Sequence, residues 1–305
     1  MVQTHGIRPK LVVIAGPTAS GKSETAVRIA ADFDGEVVGC DSMQIYRGMD
    51  IGTGKITQAE KRDIPHYMID VVSPKEEFSV SEYKRRAEMC IADIVQRGKL
   101  PVLAGGTGLY INALLSGLNF AETPRSEKVR ETLRKEAESE GSLSLYKRLQ
   151  QVDPVSAGKI SPNDLKRIIR ALEIYIVTGK PKSEQASKSV CPYDALLLVL
   201  TPDRARLYAR INDRVEAMFA GGLVEEVKRL YPFRDTQAMQ AIGYKETVAY
   251  LEGRCDLRTA IETVKQNSRR YAKRQLTYFR HMDGAVCLPP DYEAAFDAVN
   301  VFFNS

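Results

Sequence analysis

The sequence predicts an α/β fold, a P-loop-type parallel sheet flanked by helices, with an all-helical insertion domain. Three features predict it. Short β-rich runs alternate with helical runs through the first third of the chain. A phosphate-binding motif joins the first strand to the first helix. The alternation then lapses into polar, strandless sequence before one more buried strand returns.

LVVIA (residues 11–15) is the first strand, and a glycine-rich loop leads from it into a helix ending near Ala31. GEVVGC, stopping before Asp41, is the second strand; HYMIDVV and LPVLAGG are further candidates, separated by the helical SVSEYKRRAEMCIADIVQRG. Strand, helix, strand in this rhythm favours parallel pairing under helical cover. From about residue 120 to 190 the chain is polar and helical. ALLLVLTPDR then supplies a buried strand, and long helices follow to about His281. The simplest division is a catalytic core of residues 1–119 and 191–305 around a helical insertion of residues 120–190. Insertions into such cores sit beside the carboxyl ends of the strands, where ligands bind.

One insertion helix can be delimited within SPNDLKRIIRALEIYIVTGKP. Ser161 suits the N-cap, Pro162 the first helical position and Asp164 the positive helix end. Gly179, followed by Lys180 and Pro181, makes the stop. Leu165, Ile168, Ile169, Leu172 and Ile176 recur as one apolar face, opposite Lys166, Arg167 and Arg170. A charged stripe of this kind serves equally well as a solvated face or as an anion contact.

Composition narrows the class. The 305 residues, 44% hydrophobic and 27% charged, fit an ordinary soluble protein with one interrupted domain or two modest ones. The net charge of +5 is too small to define a partner, so the distribution of charge matters more. Five scattered cysteines without a CxxC pair, and three distant histidines, argue against a zinc site or disulfide framework. Free buried thiols in a reducing compartment are expected. MVQTHGIRPK has no apolar core of a signal peptide, and ALLLVL is far too short to span a bilayer, so a cytoplasmic location is expected.

GPTASGKS matches G-x-x-x-x-G-K-[ST] across Gly16, Pro17, Thr18, Ala19, Ser20, Gly21, Lys22 and Ser23. Its glycines let backbone N–H groups close around phosphate oxygens, and the helix start adds partial positive charge. Lys22 is placed to meet the terminal phosphate and Ser23 to ligate Mg²⁺. Such a loop recognises a diphosphate whatever is attached to it, so the reaction must be read from the rest of the site. The second strand delivers Asp41 to the same mouth of the sheet. An acid there is a Mg²⁺-water ligand, a helix cap, or a base for an incoming nucleophile. LPVLAGGTGLY brings Gly105, Gly106, Thr107 and Gly108 to another strand end, where glycines permit close backbone approach and Thr107 offers a hydroxyl.

Taken together, GPTASGKS, DSMQIYRGMDIGTGK, LAGGTGLY, PNDLKRIIRALEIY, QAIGYKE and YAKRQLTYFR resemble the tRNA dimethylallyltransferases, also called tRNA isopentenyltransferases. The matches run in family order from Gly16 to Arg280. The phosphate loop is common to many families, but the DS-x-Q-x-Y-R and A-K-R-Q segments are far more specific. The resemblance implies that the loop holds dimethylallyl diphosphate and that a carbon–oxygen bond is broken. The acceptor is N6 of the adenosine immediately 3′ of the anticodon, in tRNAs reading codons that begin with U. It further implies that Asp41 is the base at N6, with Ser42, Met43 and Gln44 against the target base. Thr107 and either Arg214 or Arg210 approach the reacting groups; the spacing of RINDRVEAM favours Arg214.

The resemblance also implies an RNA surface and a tRNA anticodon stem-loop as partner. Residues 254–281 hold eight Lys or Arg against two acids. On a helix, Arg269, Lys273 and Arg280 form one stripe, and Tyr271, Gln275 and Tyr278 another. Lys273, Arg274, Gln275, Leu276, Thr277, Tyr278, Phe279 and Arg280 are placed on tRNA. So are Gln240, Ala241, Ile242, Gly243, Tyr244 and Lys245, and, in the insertion, Lys166, Arg167, Ile168, Ile169 and Arg170. A bacterial-type monomer without membrane contact or the zinc finger of some eukaryotic members is expected. Three other readings compete: an adenylate isopentenyltransferase acting on free AMP, ADP or ATP, a nucleotide or small-molecule kinase, and a non-catalytic RNA-binding NTPase module.

Overall fold

The computed structural model describes residues 8–116, 125–185 and 190–304. Most of MVQTHGIRPK, and the expected start of the insertion at residue 120, lie outside the described residues. The chain divides into two compact units, Met1–Leu115 with Cys191–Ser305, and Ser116–Val190.

The first unit opens with β1 (Lys10–Ala15), α1 (Lys22–Asp32), β2 (Gly35–Gly39) and α2 (Gln58–Lys61). It continues with β3 (His66–Tyr67), α3 (Val80–Gln96), β4 (Leu100–Gly105) and α4 (Gly108–Leu115). The second unit, among its described residues, is wholly helical, as expected. It comprises α5 (Glu127–Glu140), α6 (Ser142–Val152), α7 (Pro154–Ala157), α8 (Leu165–Thr178) and α9 (Lys182–Gln185). The first unit then resumes with β5 (Asp194–Leu200), α10 (Arg204–Ala220), α11 (Leu223–Leu230), α12 (Tyr244–Leu251), α13 (Leu257–Arg280), β6 (Ala285–Leu288) and α14 (Tyr292–Asn304).

The six strands form one parallel sheet in the order β3-β2-β4-β1-β5-β6. Successive residues of β1 enter opposite cores. Leu11, Val13 and Ala15 pack with residues of α3, α4, α11 and α12, while Val12 and Ile14 pack with α1 and α14. Burial on both faces explains why these strands read as continuous apolar runs. The candidate strand HYMIDVV is cut to two residues, because Met68 and Asp70 turn into positive φ of 60° and 57°. The helices expected up to His281 are correct in kind, but a sixth strand and a last helix follow them. AVCL is too short for its pattern to announce a strand. No helix among the described residues is long and apolar enough to cross a membrane.

The helical unit has its own core of Leu133, Leu145, Leu149, Ile168, Ile169 and Leu172. Its α8 ends at Gly179 as expected, in the left-handed conformation. The start differs from expectation. Asp164 is the N-cap, its carboxylate accepting the Arg167 N–H at 3.2 Å, because residues 161–164 are spent on a turn closed by Asp164 N–H to Ser161 O. The buried face is also rotated: Ile174 is inside, whereas Ile176 is 41% exposed.

Candidate active site

Parallel strands deliver their following loops to one edge of a sheet, and the register here aligns three of them. Ala15 pairs with Gly105, and Gly39 with Ala104. The loops after β1, β4 and β2 therefore emerge side by side, bringing Gly16–Ser23, Gly106–Thr107 and Asp41 together. The chain crosses from β1 to β2 around the intervening β4, and such a switch in strand order opens a crevice.

Within the first loop, Gly16, Ala19 and Gly21 have positive φ of 149°, 62° and 92°, which curls the backbone before α1 begins at Lys22. Lys22 Nζ donates to Pro17 O at 2.6 Å, and the buried Ser20 hydroxyl has no hydrogen-bond partner among the described residues. A cavity of about 570 Å³ opens over this loop. Residues 19–24 form one wall; Lys55, Glu60, Arg62, Arg210 and Arg214 face them. The walls carry five cations beside a helix N-terminus, a setting made for phosphate oxygens. Burial lowers the Lys22 ammonium to about 8, with Arg214 pushing the same way and Asp41 opposing it.

Arg214 and Arg210 both reach the cavity, but Arg214 is the one held in place. Its guanidinium donates to Thr53 O at 3.1 Å and approaches Thr18 Oγ1 at 3.4 Å. It lies so close to Gly54 that any Cβ there would collide with it, so the GTG sequence is what admits the arginine. Arg214 also reaches Gly54 O at 3.5 Å, and Gln44 turns its amide to the same two carbonyls, Thr53 O at 3.4 Å and Gly54 O at 3.3 Å.

Asp41 stands outside the walls of this cavity, yet its charge is felt at both Lys22 and Arg214. Its Oδ1 accepts the N–H groups of Met43 at 2.8 Å and Gln44 at 3.4 Å, so the cap role and a position beside the phosphate loop coexist. Thr107 Oγ1 accepts the Ser42 N–H at 3.0 Å, and Thr107 N–H donates to Cys40 O at 3.1 Å. The Tyr271 phenol of α13 is raised first by burial and next by the Asp41 charge, which keeps it protonated. Burial likewise pushes the Cys40 thiol up to about 12.

The structure redistributes the residues assigned to RNA. On α13, Lys273, Arg274, Thr277, Tyr278 and Arg280 are at the surface, and the first four line an open groove with Arg270. Gln275 and Phe279 are buried, and Leu276 packs with Leu207, Ile211 and Ala272. Arg269 is half-buried and bound to Asn212 Oδ1, so it leaves the expected stripe. In the Gln240–Lys245 run, Gln240 and Lys245 are exposed and Ile242 is half-buried, while Ala241, Gly243 and Tyr244 are inside. Tyr244 donates to Glu226 at 2.6 Å rather than facing solvent. On α8, Lys166 and Arg167 are exposed. Ile168 and Ile169 fill the core of the helical unit, and Arg170 is tied to the buried Glu173 at 2.7 Å. Of the residues assigned to RNA in these three segments, Ile168, Tyr244 and Phe279 have no accessible side-chain surface, whereas Lys166, Arg167, Gln240, Lys245, Lys273, Arg274, Thr277, Tyr278 and Arg280 are open to a partner.

Glu226 went unnoticed in the sequence. It is 1% exposed and accepts three successive N–H groups, Asp50 at 3.0 Å, Ile51 at 2.8 Å and Gly52 at 3.1 Å, besides the Tyr244 hydroxyl. It thus shapes the loop whose next carbonyls hold Arg214. In sequence it reads as one more charge of the surface-like run LVEEVKRL.

The family model for IPP transferase matches residues 44–282. A tRNA dimethylallyltransferase from Thermoanaerobacter sp. (strain X514) is 50% identical over 282 residues, covering 90% of this chain and 90% of that protein. Among solved structures, the full-length tRNA isopentenylpyrophosphate transferase of Bacillus halodurans matches with a TM-score of 0.72 at 44% identity, over 97% of this chain and 95% of that one. A eukaryotic dimethylallyltransferase acting on tRNA gives 0.81 at 32% identity, over 95% of this chain and 76% of that one.

Proposed function

The chain belongs to the IPP transferase family, and we propose that it transfers the dimethylallyl group of dimethylallyl diphosphate to N6 of the adenosine immediately 3′ of a tRNA anticodon. The observation that carries this reading is the placing of two different chemistries on the ends of β1 and β2, the two strands that flank β4. A cationic cavity built on Gly16–Ser23 lies on one side, and a carboxylate whose charge reaches Lys22 lies on the other.

The N6 lone pair attacks the allylic carbon that bears the diphosphate. The carbon–oxygen bond breaks, its electrons leave on diphosphate, and Asp41 takes the N6 proton. The amine is a weak nucleophile because its lone pair is delocalised into the purine, so stabilising the leaving group matters most. Backbone N–H groups of the loop, Lys22, Arg210 and Arg214 surround the oxygens on which negative charge grows. Ser42, Met43, Gln44 and Thr107 frame the acceptor base. Ser23 faces the cavity, and no cluster of three His, Cys, Asp or Glu side chains stands among the described residues to hold a metal by itself. Ser23, together with diphosphate oxygens, would hold a Mg²⁺ ion, which would supply further positive charge to the leaving group.

The acceptor adenosine must be turned out of the anticodon loop to reach the site, which demands a basic surface around the extruded base. Lys273, Arg274, Thr277, Tyr278 and Arg280 on α13, with Gln240 and Lys245, offer one in the first unit. Lys166 and Arg167 offer another in the helical unit.

The test is mass analysis of nucleosides from tRNA incubated with dimethylallyl diphosphate and Mg²⁺, with AMP as a parallel acceptor. N6-(dimethylallyl)adenosine from tRNA alone is the expected product. Prenylated AMP with unmodified tRNA would make the chain an adenylate isopentenyltransferase, and ADP released from ATP without prenyl donor would make it a kinase.

A further inference from the structure

Gln275 lies five residues from the end of α13 and is 6% exposed. A primary amide carries two donors and an acceptor, and burying it is costly unless they are used. Here the acceptor and one donor are spent on two different loops. Gln275 Oε1 accepts the Thr18 N–H at 2.9 Å, and Gln275 Nε2 donates to Gly106 O at 2.8 Å. The fit is close enough that a Cβ on Gly106 would collide with the amide.

Each partner lies one step from a reacting side. Thr18 belongs to the diphosphate loop, and its hydroxyl is approached by Arg214 at 3.4 Å. Gly106 precedes Thr107, which holds the Ser42 N–H next to Asp41. One side chain thus joins the loop that grips the leaving group to the loop that frames the acceptor. We infer that Gln275 is a positioning residue: its amide fixes the separation between the diphosphate loop and the Asp41–Thr107 side of the site. This rests on the transferase reading above. Attack on carbon requires donor and acceptor at a set distance, and a misplacement of about 1 Å costs on the order of 10²-fold in rate.

Two variants test it. Gln275→Met keeps the volume and removes both hydrogen bonds. It should lower kcat by roughly 10- to 100-fold while leaving the KM for each substrate within about 3-fold. Amide hydrogen exchange should quicken at residues 16–20 and 105–108 together, with the rest of the chain unchanged. Gln275→Glu reproduces the amide pattern only as the neutral acid, whose carbonyl accepts from Thr18 and whose hydroxyl donates to Gly106. Its turnover relative to wild type, measured at each pH, should be low at neutral pH and recover on acidification.

A folded Gln275→Met variant with kcat within 2-fold of wild type overturns the inference, as does a pH-independent Gln275→Glu ratio. If Gln275→Met fails to fold, the Gln275→Glu profile decides alone. Wild-type protein that prenylates nothing would sink the functional reading instead, and exchange at the two loops would still decide whether Gln275 clamps them.

Discussion

Asp41 and Lys22 show how one side chain meets two demands at this site. Asp41 closes a turn through Oδ1, a task an asparagine can also perform; as the proposed base it must also accept the N6 proton, which asparagine cannot. Asp41→Asn should therefore lower turnover by roughly 10²–10⁴-fold with inorganic diphosphate still bound, as single-turnover assays and calorimetry will report. Lys22 is held near 8 rather than 10.5, chiefly by burial. Affinity of the free enzyme for diphosphate should weaken as pH rises through about 8, where the ammonium loses its proton. Stability runs the other way. The buried charge costs most below pH 8, and folding becomes more favourable from 8 towards 10.5, where only the unfolded chain still holds that proton. Lys22→Met should accordingly raise stability at neutral pH by roughly 1–3 kcal/mol in denaturant titrations, while weakening diphosphate binding. The identity of these two residues was legible, since motif and strand end name them. Their mutual field was not, because it depends on how far apart the folded backbone sets them.

Helix α13 turns one face to solvent and the other to the active-site loops, and the two faces call for different experiments. Removing charge from the outer face, with Lys273→Ala or Arg274→Ala, should weaken tRNA binding and reduce the slope of log affinity against log salt by about one per residue. On α8 the same treatment of Lys166 or Arg167 should behave alike. Arg170→Ala should instead destabilise the helical unit, because Glu173 would keep a fully buried carboxylate with one partner fewer. The charged stripes were visible in the sequence as stripes. Which members pair with a buried carboxylate was not, because Glu173 and Glu226 carry no mark distinguishing them from surface acids. Glu226→Ala strips the acceptor from three backbone N–H groups. It should cost roughly 2–4 kcal/mol in urea unfolding and lower turnover through the loop that holds Arg214.

At the scale of the whole molecule, an all-parallel sheet gathers every site loop of the first unit at one edge, and a separate helical unit carries its own core. Local sequence was sufficient for the fold class and for seating the G-x-x-x-x-G-K-S loop between the first strand and the first helix, and the helical insertion it predicts at residues 120–190 compares with the compact unit Ser116–Val190. Strand hydrophobicity, glycine at positive φ and helix-capping chemistry act over a few residues and leave their imprint there. Tertiary structure alone decided the strand order that seats β4 between β1 and β2, and with it the convergence of three loops. It likewise decided that Gln275, Tyr244 and Glu226 serve the interior rather than the surface. Burial and hydrogen-bond partnership are relations between residues far apart in the chain, 257 positions in the case of Thr18 and Gln275, and no local pattern encodes them.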